Sequence, residues 1–494
     1  MTTPAHRAAL CTGLLILAAG GCDHGATEPP VSGPLPGFAV VAAPGGDTVM
    51  ARPSRSLVLL LRDATGAARP HATVVLRSLG RGANPRIVFG PVTGFGRDSI
   101  SLTTDDRGRV DVAISFWAVA GAAGVIASAP DVPVTDTIRF DVRPGAAARV
   151  AILPRDTAVT LGADAPISIT VRDQWGNVRP EIPDVQADAL IRVLDGRVTG
   201  VVYGRARIVA QFGAIRDTGS VAVVPPGRIA GFHAAANFAL FVMNTDGSGT
   251  NPWVATVNWM NGTVHWSADH RHLLASLAPS WLGQFEVTEV STSDGSTRPI
   301  ATSPLGTHQL WPAYSADGQW IYYVLVPGTA DYGTGVGALQ RMRADGSGVE
   351  SLVPAPATGP GWSSPAPSPS GDRVAYVGGA GLVFVRRIAD GATTTIPGLA
   401  AYTVRWSPSG DRLVTSGLGG LHVVNADGSG DRMLRASRDE RGFAAWSPDG
   451  AWVVWNGPTG LEMVQVDSGL VVPLPFLRSY PIESAWGFSW TTAP

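Results

Sequence analysis

From residue 228 to residue 494 two short motifs alternate, and they constrain the fold more than any other feature of the chain. The first has the form aromatic-Ser-x-Asp/Ser-Gly: WSADH at 266, YSADG at 314, PSPSG at 367, WSPSG at 406 and WSPDG at 446, with a truncated WGFSW at 486. The second is an Asp-Gly turn: NTDGSG at 244, TSDGS at 292, RADGSG at 343, IADGA at 388, NADGSG at 425 and VDSG at 466. The last three steps of the first motif are 39, 40 and 40 residues. A period of about 40 with several short strands per unit marks the blades of a β-propeller. In each unit a short inner strand ends at the aromatic residue. Pro then presets φ for the turn and Gly takes the left-handed position. Near-continuous apolar runs such as AWVVW and RLVTS follow, as expected for strands covered on both faces. Six copies of each motif, out of phase at the two ends, imply six blades. Strands over about 229 to 250 would complete the blade whose inner strand is SAWGFSW, which leaves no free sheet edge.

The Ser447–Asp449 pair in AAWSPDGAWVVWNG reads as part of this punctuation and not as a catalytic pair. Its Ser recurs in five units, which one active site would not need. The repeats resemble the WD-repeat-like propeller family found in TolB and in the propellers of prolyl oligopeptidases. That resemblance covers 228–494 and rests on WSPDG and NADGSG. It implies a fold and leaves function open.

Ahead of the repeats, residues 37 to 224 carry short β-type runs separated by turns, the pattern of β-sandwiches. LVLLLRDATGAARP (57–70) echoes ISITVRDQWGNVRP (167–180), an offset of 110 residues. Two modules are expected, 37–144 and 145–225, with the propeller over 226–494. The second module resembles bacterial Ig-like domains of the intimin and invasin type, through ITVRDQWGNVRP and GRVTGVVYGRARIVAQF. The first is similar to the invasin-like group through SLTTDDRGRVDVAISF, read as a hairpin with Asp106-Arg107-Gly108 at its turn. These resemblances imply surface display, spacing or adhesion. Asp63, Asp105 and Asp173 are conceivable calcium ligands, but Asp beside a Gly turn ordinarily bonds its own backbone.

The first 21 residues read as a signal peptide, with Arg7 ahead of an apolar stretch from Ala8 to Ala19. Ala19-Gly20-Gly21-Cys22 resembles a bacterial lipobox, which implies lipidation at Cys22 and a mature chain without disulfides, since the only other cysteine is Cys11. Residues 22–36, rich in Pro and Gly, read as a tether. The expected location is the cell envelope, with the membrane engaged through an N-terminal lipid.

Net charge is −2, and every one of the 37 basic residues is Arg. No nucleic-acid footprint is visible. Absence of Lys removes Walker-A and Schiff-base chemistry. There is no G-x-S-x-G elbow and no H-E-x-x-H, so no enzyme activity and no cofactor are expected. His270 and His272 in HWSADHRH are weak metal candidates, being two apart and able to share a strand face. Both turn motifs fall at one end of the ring. Longer, irregular connections fall at the other, where Trp281, Asp331, Tyr332, Trp362 and Arg438 are the candidate ligand-binding residues. The expected partner is an envelope or extracellular protein or glycan. The alternatives are a TolB-like accessory protein docking an envelope lipoprotein, or a propeller enzyme of lyase or lactonase type. In the enzyme reading His265 and Arg405, each directly before a blade Trp, would matter.

Overall fold

A computed structural model describes residues 36–43, 48–49, 55–80, 87–90, 97–233, 239–248, 253–256, 259–279, 283–328, 337–356, 363–436, 442–457, 460–474 and 485–492. Among them the only helical element is a single 3-10 turn, Gly379–Gly381; the remainder is strand and turn. The chain divides into two compact units, residues 1–147 with 172–179, and residues 148–171 with 180–494.

The first unit holds two four-stranded sheets. One runs Gly37–Ala42, Arg55–Arg62, Arg109–Phe116, Ile87–Phe89; the other runs Ser99–Thr103, Thr73–Ser78, Gly121–Ala129, Val134–Val142. Alternate residues of each strand point inward, so Leu57, Leu59, Leu61, Val74, Leu76, Val112 and Val125 meet in one core. The run 101–116 is not a hairpin. Its two strands belong to different sheets, because Ser99–Thr103 pairs with Thr73–Ser78 while Arg109–Phe116 pairs with Arg55–Arg62. Its turn carries the chain from one layer to the other.

The three Asp residues considered for calcium serve turns. Asp105 Oδ1 accepts from the amides of Arg107 (2.9 Å) and Arg109 (2.8 Å). Asp63 accepts from Thr65 (2.9 Å) and Ala67 (3.1 Å), and Asp173 from Trp175 and Asn177 (both 2.9 Å). The spacing of two and four residues is the same each time, and the echo between 57–70 and 167–180 is thus one turn used twice. The backbone bond from Arg109 leads the interactions that hold the Asp105 carboxyl below its usual range.

Three small sheets over Ala147–Val224, in the second unit except for Ala147 and residues 172–179, enclose Val150, Val159, Val171, Val198, Ile208 and Val221, most of them fully buried. Six four-stranded antiparallel sheets follow. The first is Trp259–Trp266, His272–Ala278, Glu286–Ser291, Thr297–Pro299; four more succeed it in sequence, with first strands Thr307–Tyr314, Ser363–Pro367, Ala401–Trp406 and Ala444–Trp446. In the sixth, Ala485–Thr491 is the first strand and Arg228–His233, Ala239–Asn244 and Trp253–Thr256 complete the sheet. The two ends of this region therefore pair directly, with Ile229 opposite Trp490 and Ala230 opposite Ser489. Each first strand touches the first strand of the next sheet, and the sixth touches the first, so the sheets form a closed cycle. Gly227 is required at the entry: its φ is 143°, and a Cβ there would lie 2.4 Å from Trp490 Nε1.

The second strands are buried without alternation. Trp452, Val453, Val454 and Trp455 are all at most 1% exposed, as a strand sandwiched between neighbouring sheets requires. Across four of the six sheet-to-sheet boundaries the motif aromatic acts as a clamp. Trp406 Nε1 donates to Ala366 O of the preceding sheet (2.9 Å), Trp446 Nε1 to Arg405 O (3.2 Å), and Trp266 Nε1 to Ser489 O (3.3 Å). Tyr314 reaches back in the same sense, its hydroxyl donating to Glu289 (2.6 Å). The register places Trp490 in the equivalent position of the sixth sheet; the WGFSW motif is thus read from its last residue. Trp406→Phe should cost about 1–3 kcal/mol, because it removes the donor and leaves the buried Ala366 carbonyl unpaired. Urea denaturation of the variant against wild type measures this, and a change within a few tenths would contradict the clamp.

Candidate functional site

The turn after each clamp is built from its Ser. In WSPDG, the amide of Trp452 donates to Ser447 Oγ (2.8 Å), Ser447 Oγ donates to Asp449, and Asp449 Oδ1 accepts from the Ala451 amide (3.0 Å). Gly450 takes φ 70°. Ser315 and Asp317 repeat the arrangement. Where Ser replaces the Asp, a carboxylate two residues on takes over: Asp411 accepts from both Ser407 (2.9 Å) and Ser409, and Asp372 from both Ser368 (3.1 Å) and Ser370. Ser447 and Asp449 are occupied in holding a turn.

His270 stands in the left-handed position of this turn, with φ 57°. It lies in the turn and not in the strand that begins at His272, so the two do not share a strand face. Its Nδ1 meets Thr491 Oγ1 at 2.6 Å, which ties the first sheet's turn to the end of the sixth sheet's inner strand. His272 faces Asp269 at 3.7 Å. Among the described residues no group of three or more His, Cys, Asp or Glu could hold a metal ion. Trp281, Asp331, Tyr332, Trp362, Arg438 and Cys22 lie outside the described residues.

A cavity of about 240 Å³ opens where the six inner strands end. Each sheet contributes to its wall: His265, Tyr314, Pro367, Arg405, Trp446 and Trp490 in order round the cycle. The turn residues Ala316, Pro369, Pro408 and Pro448 lie at the same level. The cavity is therefore at the end bearing the uniform turns, opposite the longer connections that the sequence favoured. Sequence reasoning did reach two of its residues, His265 and Arg405, through their place before the clamp.

Arg405 is 8% exposed. One of its terminal nitrogens donates to Ser364 Oγ and to Val404 O, both at 2.7 Å, while its Nε has no partner. Both partners are neutral, and among the described residues no carboxylate pairs with it. Burial pushes this guanidinium down to about 10, so it remains charged at neutral pH. Ser364 adopts a left-handed conformation that recurs at the equivalent inner-strand positions Trp311 (φ 59°) and Gly487 (φ 67°). It has φ 50° beside a bulge in its strand, is 1% exposed, and also accepts the Val404 amide (3.3 Å).

His265 Nε2 is likewise buried without a partner. Burial first, and then the Arg405 charge, hold this imidazole well below the ordinary histidine range. The neutral ring presents one donor and one acceptor. Trp490 on the same wall has an indole N–H that is also unpartnered. The cavity thus combines a buried cation, a neutral imidazole and aromatic walls, with no carboxylate among its lining residues.

No family model matches the chain, and a search of curated proteins returns no match. Among solved structures the chain is similar to TolB from Acinetobacter baumannii (15% identity, 63% of this chain and 82% of that one, TM-score 0.45). It is similar to a putative TolB from Agrobacterium tumefaciens (16%, 51% and 90%, TM-score 0.38). It is also similar to a chain of a nidogen/laminin complex (9%, 53% and 98%, TM-score 0.42). Identities this low carry no information on ligand or reaction.

A histidine whose folded value is depressed contributes stability above its unfolded value near 6.5, and that contribution is lost as pH falls toward the folded value. Wild-type stability should therefore fall below pH 6.5 more steeply than that of His265→Gln. The difference should approach about 1.4 kcal/mol per pH unit for one proton. Parallel slopes in denaturant titrations at pH 7, 6 and 5 would show that His265 is not buried as a neutral ring.

Proposed function

We propose that this chain is a lipid-anchored cell-envelope binding protein in which a six-bladed propeller performs the recognition. Two Ig-like modules intervene in sequence between the lipidated Cys22 and the ring. The observation that carries the reading is the makeup of the cavity at the end of the inner strands. Its wall offers a buried cation and unpartnered nitrogens together with aromatic surface. Such a wall is suited to holding a ligand. Trp281, Asp331, Tyr332, Trp362 and Arg438, which lie outside the described residues, are proposed as a second contact for a protein or glycan partner.

Two measurements test this. Cys22→Ser should move the protein from the membrane to the soluble fraction of envelope preparations, since acyl chains anchor through about 0.8 kcal/mol per buried methylene. Retention in the membrane fraction would refute the anchor. Trp281→Ala combined with Tyr332→Ala should weaken partner capture from envelope extracts by tenfold or more, about 1.4 kcal/mol; undiminished capture would refute the loop surface.

A further inference from the structure

We propose that the cavity at the turn end of the ring is a binding site for a monoanionic carboxylate carried on a flat apolar body. This rests on the ring alone and stands apart from both the lipid anchor and the loop surface.

The charge argument comes first. A guanidinium removed from water costs several kcal/mol unless an anion compensates it. Arg405 is buried, lines the cavity, and among the described residues has a hydroxyl and a carbonyl as its partners. Its Nε is an unused donor, and the fork geometry of guanidinium matches a carboxylate. Ser364 Oγ and Val404 O accept from one terminal nitrogen and hold that side of the guanidinium in place. His265 Nε2 supplies a second unused nitrogen from a different sheet. A neutral imidazole can donate to an anion without adding charge. One cation, no other charged group on the wall and two unsatisfied nitrogens match one negative charge. A phosphate dianion would leave one charge uncompensated by the single cation on the wall.

The walls decide the rest of the ligand. Trp406, Trp446, Trp490 and Phe488 line the same cavity. Aromatic faces favour flat apolar groups. A volume of about 240 Å³ equals about eight waters at ~30 Å³ each, which suits a single ring with a short acidic arm. Two sources fit this chemistry: a free aryl-alkyl carboxylate, or the C-terminal carboxylate of a peptide ending in an aromatic residue.

The test uses the full chain, with 3-phenylpropionate, its uncharged amide, an acetylated Ala-Phe dipeptide acid and inorganic phosphate as probes. Titration calorimetry and the fluorescence of the lining tryptophans report binding. Binding of 3-phenylpropionate at least about tenfold tighter than its amide supports the proposal. Tighter binding of the dipeptide than of 3-phenylpropionate assigns the peptide source, and the reverse assigns the free acid. Arg405→Gln should weaken the acid at least tenfold and leave the amide unchanged. Where that variant does not fold, the acid-against-amide comparison on the wild-type chain decides. Equal affinity for acid and amide, no binding of either acid at millimolar concentration, or preference for phosphate would each overturn the proposal. Loss of partner capture in the Trp281/Tyr332 variant with carboxylate binding intact separates the two readings.

Discussion

An indole N–H reaching a main-chain carbonyl of the neighbouring sheet is the contact on which the ring depends. A four-stranded sheet alone has two open faces and cannot hold its apolar residues dry. The sheets bury one another only if each is set at a fixed height and angle against the next. Trp406, Trp446 and Trp266 do this from the last position of an inner strand, each to the sheet before it. Because a β-strand presents its side chains with strict alternation, anchoring one residue sets the register of all the others in that sheet. Pairing of Ile229 with Trp490 extends the same order across the seam, where chain connectivity cannot impose it.

The end of the ring that carries the clamps also carries the cavity, and the two have a common cause. Inner strands converge where their Trp residues lean on neighbouring carbonyls, and the Ser-based turns then lead the chain outward. The residue just before the clamp is left facing the middle. In two sheets that residue is Arg405 or His265, and polar nitrogens are gathered where the surrounding wall is aromatic. The hydroxyl that holds Arg405 comes from Ser364, 41 residues earlier in the preceding sheet. A buried charge is thus supported across a sheet boundary, which ties the site to the integrity of the ring.

Much of this was legible in the sequence. The period of about 40 residues, the two turn motifs and the phase mismatch at the ends led to six sheets and to a shared sixth sheet, because each motif has a local physical cause in turn geometry. His270 in place of Gly was visible as an oddity, and its left-handed φ follows from position alone. Its contact with Thr491 was not visible, since 221 residues separate the two. The hairpin expected at 101–116 failed for a related reason. A tight Asp-Gly turn reverses the chain in the same way whether the flanking strands pair with each other or step between layers, and only their partners distinguish the cases. The cavity end is not legible in the sequence, because uniform turns read as purely structural there, whereas the site lies on the strand ends beneath them.

The sequence by itself determined the strands, the turns and the number of repeating units, since these follow from the alternation of apolar residues and from φ preferences that act within a few residues. Tertiary structure alone decided that, among the described residues, no carboxylate pairs with the buried Arg405, that a serine from the preceding sheet holds it, and that a histidine from a third sheet shares its cavity. Those facts depend on which residues meet when six sheets close into a cycle. Contacts of that kind leave no periodic trace in the chain.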